Sequence, residues 1–178
     1  LTDIPPTDTA THVQELPPVL PAVDEILAGL DGLPVDRSIY RGKPYRPVAL
    51  VQFGRGCKYA CDFCSVHAFY GSQLRWRPAA DVVRELESIG RRYVLFTDDN
   101  LFNDKRRFRE LLEAIRPLSL RWACQISLDV TADKDLVRQM AASGCLAVMV
   151  GFESFDESNL RLMRKSWQRR CAPYDELV

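Results

Sequence analysis

Residues 49–64 read Ala49-Leu50-Val51-Gln52-Phe53-Gly54-Arg55-Gly56-Cys57-Lys58-Tyr59-Ala60-Cys61-Asp62-Phe63-Cys64. The first five are apolar except Gln52, and Pro47 and Gly54 bound them, so 49–53 is expected to be a short buried strand. A Gly-rich turn follows at once, and then three thiols within eight residues, spaced C-x3-C-x2-C. Working outward, the same alternation of apolar run and helical period repeats. A helix is expected after Arg77-Pro78, with Val82, Val83, Leu86 and Ile89 on one face and Gly90 as its stop. A second strand is expected over 93–97. The next helix runs over 104–116 with Phe108, Leu111, Leu112 and Ile115 at helical spacing, capped by Asn103 and closed by Pro117. The third strand is 122–128, and Thr131 caps a helix carrying Leu136, Val137, Met140 and Ala141 that Gly144 ends. A fourth strand covers 146–150, and a short helix over 156–164 turns Leu160 and Met163 inward.

Strands alternating with helices of ten to fourteen residues imply βαβ units and parallel pairing. Right-handed crossovers then place the helices on one side of a sheet curved as a barrel wall. The fold class is therefore α/β, a partial (β/α) TIM-like barrel. Chemistry in such folds collects at the carboxyl ends of strands. Those ends are Gly54-Arg55-Gly56-Cys57, Asp98-Asp99-Asn100, Ser127-Leu128-Asp129 and Gly151-Phe152-Glu153-Ser154, each polar or Gly-rich after an apolar run.

The chain has 178 residues with 24 Lys+Arg, 24 Asp+Glu, 47% hydrophobic side chains and six Cys, which suits one folded domain. Zero net charge gives no global reason to expect nucleic acid or an acidic membrane. The basic stretch Arg161, Arg164, Lys165, Arg169 and Arg170 reads as a solvated helix face. The longest apolar run, 145–152, is far short of the ~20 residues that span a bilayer. No basic region leads into an apolar stretch at the N-terminus, so the cytoplasm is the expected compartment. The first residue is Leu rather than Met, as in a segment of a longer chain.

The balance of charge hides a split. Residues 1–35 hold six acids (Asp3, Asp8, Glu15, Asp24, Glu25, Asp31) and no Lys, Arg or aromatic side chain. Eight of the eleven prolines precede residue 50, which disfavours long helices and central strands there. Residues 1–46 are therefore expected to be a Pro-rich acidic linker or N-terminal arm, with one short helix around 23–30, and 47–178 the folded core.

Cys57, Cys61 and Cys64 are the sharpest feature. Short loops let thiolates converge on one soft metal centre. An iron–sulfur cluster, zinc with His67 as fourth ligand, disulfides and inert thiols all stand as readings of the spacing. No secretion signal supports disulfides, structural zinc normally uses two separated ligand pairs, and Lys58, Tyr59 and Asp62 make the loop polar. Cys124 and Cys145 belong to apolar strands and are expected to pack in the core. Cys171 has no partner pattern.

The run Cys57-x3-Cys61-x2-Cys64, with Phe63 before the last Cys, resembles the signature of the radical S-adenosylmethionine (SAM) superfamily. Gln52-Phe53-Gly54-Arg55-Gly56-Cys57, Phe96-Thr97-Asp98-Asp99-Asn100 and Gly151-Phe152-Glu153-Ser154 resemble the cobalamin-binding branch. The likeness covers residues 36–178, most strongly 47–165. It implies a 4Fe–4S cluster on the three Cys, with an iron left for the amino and carboxylate groups of SAM. By the same resemblance Phe63 lies near the adenine, and Asp98, Asp99 and Asn100 meet the methionine amino group. Glu153 and Ser154 face ribose or substrate, and Ser127 and Asp129 are weaker candidates. It further implies an enzyme that cleaves SAM reductively to a 5′-deoxyadenosyl radical for hydrogen abstraction, with methyl transfer in longer relatives. A reductant such as flavodoxin or ferredoxin and an unidentified small-molecule substrate go with it. Cobalamin enters only through a separate domain absent from residues 1–46. The family barrel has six βα units and about four are read here, so the chain by itself is expected to be poorly active. Rival readings are a non-catalytic zinc or iron–sulfur module and a methylthiotransferase-like, RNA-modifying radical enzyme.

Overall fold

A computed structural model of the chain describes residues 36–44, 47–71 and 73–171. The expectations for 1–35, including the helix around 23–30, and for the residues beyond 171 lie outside the described part. Four parallel strands form the central sheet: β1 (Val48–Val51), β4 (Tyr93–Phe96), β5 (Arg121–Gln125) and β6 (Cys145–Met149). They stand in the order β1-β4-β5-β6. Val48 pairs with Tyr93, and Val94 with Trp122. The register shifts between Trp122 and Ala123 where β5 meets β6. The expected parallel sense is present, in an arc of a (β/α) barrel.

Period-two alternation decides which face carries the core. Ala49, Val51, Val94, Phe96, Trp122 and Cys124 point to one side and are buried. Three helices cover that side: α2 (Ala79–Ile89), α3 (Lys105–Ile115) and α4 (Lys134–Ala142). They bury Val82 and Leu86; Phe108, Leu111, Leu112 and Ile115; and Leu136 and Met140, respectively. Those positions belong to the inner stripe that helical periodicity assigns, in which Val83 and Ile89 are half-buried and Val137 and Ala141 are exposed. Phe96 and Trp122 meet edge to face at 5.7 Å, a favoured aromatic geometry. The Trp122 indole N–H donates to the Ser143 carbonyl at 3.1 Å. The opposite sheet face leaves Val48, Leu50, Tyr93 and Met149 exposed.

Two caps differ from expectation. Asp104, not Asn103, caps α3 by accepting from the Arg107 N–H at 2.8 Å. Asp133, not Thr131, caps α4 by accepting from Leu136 N–H at 3.0 Å. Thr131 instead closes a 3₁₀ turn over Leu128–Ala132, its hydroxyl donating to the Leu128 carbonyl. That turn also ends the third strand at Gln125 rather than residue 128. Gly144 follows α4 with φ +97, and a Cβ there would lie 2.0 Å from the Leu120 carbonyl oxygen. No other residue fits that turn without moving the backbone.

Three further elements frame the Cys loop. A two-residue ribbon pairs β2 (Gly54–Arg55) antiparallel with β3 (Arg75–Trp76). Between them lie the loop itself and α1 (Ser65–Tyr70). After β6, α5 (Glu157–Leu162) is capped by Asp156 and leads into a 3₁₀ turn, Ser166–Arg170. Part of the stretch expected as an arm belongs to this body, which begins at Asp36. Arg37 pairs with Glu85 at 2.6 Å and donates to the Leu50 carbonyl at 2.8 Å. Among the described residues no helix is long and apolar enough to cross a membrane.

Candidate metal centre

The three Cys follow β1, and side chains from the ends of the next two strands hold their loop. Asp98, directly after β4, is 4% exposed and accepts from the backbone N–H groups of Phe53 and Gly54. Burial raises its carboxyl to about 6, against the lowering effect of those two hydrogen bonds. Asp99 accepts from Gly56 N–H at 3.4 Å. Asn103 clasps the chain on both sides of Cys57. Its Nδ2 donates to the Gly56 carbonyl at 2.7 Å, and its Oδ1 accepts from Lys58 N–H at 2.9 Å. Asn100 Nδ2 donates to Cys57 Sγ at 3.6 Å.

Asp129, after β5, holds the next part of the loop. It accepts from Lys58 Nζ at 2.6 Å, from the Tyr59 hydroxyl at 2.7 Å and from the Ser127 hydroxyl. Burial first, and then the hydrogen bond and charge of Asp129, hold the Tyr59 phenol well above its ordinary range. Lys58 Nζ also lies 4.1 Å from the centre of the Phe102 ring, close enough for a cation–π contact.

The far limb of the loop meets the segment after β6. Asp62 N–H donates to the Met163 carbonyl at 3.2 Å, and its carboxylate pairs with Arg164 at 3.0 Å. Tyr59 stacks on Trp167 with ring centres 3.7 Å apart and planes 4° from parallel. Lys165 is only 6% exposed. Its Nζ donates to the Gly151 carbonyl at 2.7 Å and to Glu153 at 3.0 Å, and lies 5.8 Å from the Phe63 ring centre. Glu153 has φ +60, a conformation that costs a non-Gly residue about 1–3 kcal/mol and persists only where its surroundings impose it. The Lys165 contact is one such constraint.

All six thiols are free, and Cys57, Cys61 and Cys64 are each partly exposed. Burial raises the Cys61 thiol, and the Lys165 ammonium opposes that rise. A tight turn joins the last two, with Cys64 N–H donating to the Cys61 carbonyl at 3.0 Å. Among the described residues no three His, Cys, Asp or Glu side chains gather as ligands of one ion. His67 lies on α1, and its Nδ1 is buried without a hydrogen-bond partner. Cys124 is buried in the core as expected, and burial also raises its thiol. Three accessible thiols on a pinned loop, one receiving an amide N–H, match the soft sulfur donor set of an iron–sulfur cluster.

The expected site residues thus sort by neighbourhood. Cys57, Asp98, Asp99, Asn100, Ser127 and Asp129 share one hydrogen-bonded assembly around the start of the loop. Phe63 and Glu153 meet through Lys165 on the other side. Ser154 lies apart from both sets of contacts, its hydroxyl accepting from Asp156 N–H at 3.1 Å beside α5. Asn103, read as a helix cap, Lys165, read as part of a solvated face, and Trp167 are the members that sequence reasoning missed. An Asn seven residues beyond the end of β4 was the one available signal.

Comparison with known proteins bears directly on this arrangement. The family described as the radical SAM superfamily matches residues 51–173. Bacteriochlorophyllide d C-12(1)-methyltransferase of Chlorobaculum tepidum is 31% identical over 142 residues, 76% of this chain and 31% of that protein. Hopanoid C-2 methylase of Rhodopseudomonas palustris is 26% identical over 125 residues, 65% of this chain and 24% of its own length. Anaerobic magnesium-protoporphyrin IX monomethyl ester cyclase of Rubrivivax gelatinosus is 26% identical over the same number of residues, 66% of this chain and 22% of that one. The radical SAM methyltransferase TsrM from Kitasatospora setae, solved with cobalamin and a 4Fe–4S cluster, shares the fold. Its TM-score is 0.59 and its identity 24%, over 64% of this chain and 24% of that one. The chain spans about a quarter to a third of the length of the first curated relatives it matches. With its family match running from the last residue of β1 through the Cys loop and on past β6, the chain belongs to the radical SAM superfamily.

Proposed function

We propose that this chain is the catalytic core of a radical SAM enzyme, with Cys57, Cys61 and Cys64 holding a 4Fe–4S cluster. Bound there, such a cluster supplies the single electron that cleaves SAM into methionine and a 5′-deoxyadenosyl radical. The observation that carries the reading is the Cys loop at the carboxyl end of β1, gripped by Asp98, Asn100 and Asn103 from the end of β4. The protein's part is to fix that loop and shelter it. Both carboxylate oxygens of Asp98 are spent on the Phe53 and Gly54 N–H groups, so its role is to hold the turn into the loop. Asp99, Glu153 and Phe63 remain the side chains for SAM itself. Phe63 is 55% exposed and offers a ring face to the adenine. Glu153 keeps its strained backbone and its Lys165 partner for a polar group of the same ligand. Ser154, beside the N-terminus of α5, is assigned to the outer wall of the site.

Transfer of a methyl group to an unactivated carbon is the reaction class that the methyltransferase relatives favour, with cobalamin brought by a domain outside these residues. An electron carrier such as flavodoxin or ferredoxin is the proposed partner, and the cytoplasm the proposed location. Anaerobic reconstitution with iron and sulfide tests the reading. About four irons per chain, with an electron paramagnetic resonance signal that changes on adding SAM, is the expected result. A colourless protein that takes up one zinc overturns it. Cys61→Ala is expected to abolish assembly, and unchanged iron content in that variant refutes the ligand assignment.

A further inference from the structure

Asn100 is the residue whose placement goes furthest beyond this reading. It is 3% exposed, one residue beyond the acidic pair. Its Oδ1 accepts from Phe102 N–H at 3.1 Å and from Ser127 N–H at 3.0 Å. A carboxamide presents one acceptor oxygen and one donor NH₂. Exchanging the two would turn NH₂ toward two backbone N–H groups, so the network decides the orientation. Nδ2 is thereby aimed at Cys57 Sγ, 3.6 Å away. Both ends of the amide are engaged within the protein.

We propose that Asn100 is a positioning residue that donates a hydrogen bond to the Cys57 sulfur and so raises the reduction potential of the cluster, rather than a ligand for SAM. The inference rests on the cluster reading above. A hydrogen bond to a ligating sulfur stabilises the extra electron of the reduced state, and such bonds are among the levers that set cluster potentials. Reduction of the cluster is the step that an electron carrier must drive, so this bond sets how strong that carrier has to be. It also distinguishes one thiolate from the others. Asn100 reaches Cys57 from the core, whereas Cys61 and Cys64 lie on the limb facing the segment 163–168.

The test uses the anaerobically reconstituted chain, the variants Asn100→Asp and Asn100→Ala, and iron content measured before anything else. Asn100→Asp keeps the Oδ1 acceptor for Ser127 and Phe102, removes the donor and adds a carboxylate charge. Asn100→Ala removes the donor without adding charge. Redox titration followed by electron paramagnetic resonance is expected to show both variants harder to reduce. At a fixed potential their reduced-to-oxidised ratio falls about tenfold, a shift of about 59 mV for one electron. Affinity for SAM, measured on the same samples by its effect on that signal, is expected to change less than threefold. Unchanged potentials at full iron content overturn the inference, and so does a selective loss of SAM affinity. Wild type without iron would instead defeat the cluster reading. If neither variant assembles a cluster, pulsed resonance of wild type carrying ¹⁵N-asparagine decides. A coupling between the reduced cluster and a side-chain ¹⁵N is expected, and its absence overturns the proposal.

Discussion

The two limbs of the Cys loop are held by different physics. The first limb, Phe53 to Lys58, is gripped from the core. Asp98 and Asn103 supply four hydrogen bonds to its backbone, across 44 to 47 residues of sequence. The second limb, Cys61 to Cys64, meets a surface segment. Its contacts there are one backbone hydrogen bond to Met163, the approach of Lys165 to the Phe63 ring, and an ion pair with Arg164, whose side chain is 72% exposed. Buried groups that lose a partner pay full desolvation, whereas exposed ion pairs contribute little. The backbone on either side of Cys57 is therefore tied to the core, while the stretch from Cys61 to Cys64 leans on the segment after β6.

Substitutions that weaken each limb test that contrast. Asp98→Ala is expected to be the most damaging, because it strands the buried N–H groups of Phe53 and Gly54. A loss of about 2–5 kcal/mol is expected in urea unfolding. Asp98 also carries a pH signature. Its carboxyl is near 6 in the folded chain against 3.8 as the ordinary value, so between those values the folded state binds the proton more tightly. Its stabilising contribution is fully present below about pH 4 and is lost as pH rises through 6. The stability difference between wild type and Asp98→Asn should shrink by up to about 3 kcal/mol from pH 4 to 7. A difference that grows over that range would contradict the raised carboxyl.

Smaller effects follow. Asn103→Ala should cost about 1–3 kcal/mol by freeing Gly56 C=O and Lys58 N–H, with faster loss of iron to a chelator. Trp167→Ala removes the stack on Tyr59, worth about 1 kcal/mol. Arg164→Ala should cost less than about 1 kcal/mol and fade further in high salt. If Arg164→Ala cost more than Asn103→Ala, the contrast between the limbs would be reversed.

Much of the fold was legible because its signals are local. Val51, Phe96 and Trp122 alternate with solvent-facing neighbours, and Phe108, Leu111, Leu112 and Ile115 recur at helical spacing, so strand and helix follow from side-chain periodicity. The Cys triad needed no folding to be seen, since its members are seven residues apart from end to end. The ribbon Gly54–Arg55 with Arg75–Trp76 escaped notice because two-residue strands have no period. The caps were misplaced by one or two residues because Asn103, Asp104, Thr131 and Asp133 are all competent cap residues. Which one caps depends on where the helix starts.

Sequence alone determined that this chain places three soft thiols after the first strand of a βα series, because period and spacing are properties of neighbouring residues. Tertiary structure decided which polar side chains serve those thiols. Asp98 turned inward to the backbone, Asn100 to Cys57, Asn103 to both sides of Cys57, and Lys165 to Glu153. Each of those choices depends on partners 12 to 47 residues away, and only the packed sheet brings them within hydrogen-bond range.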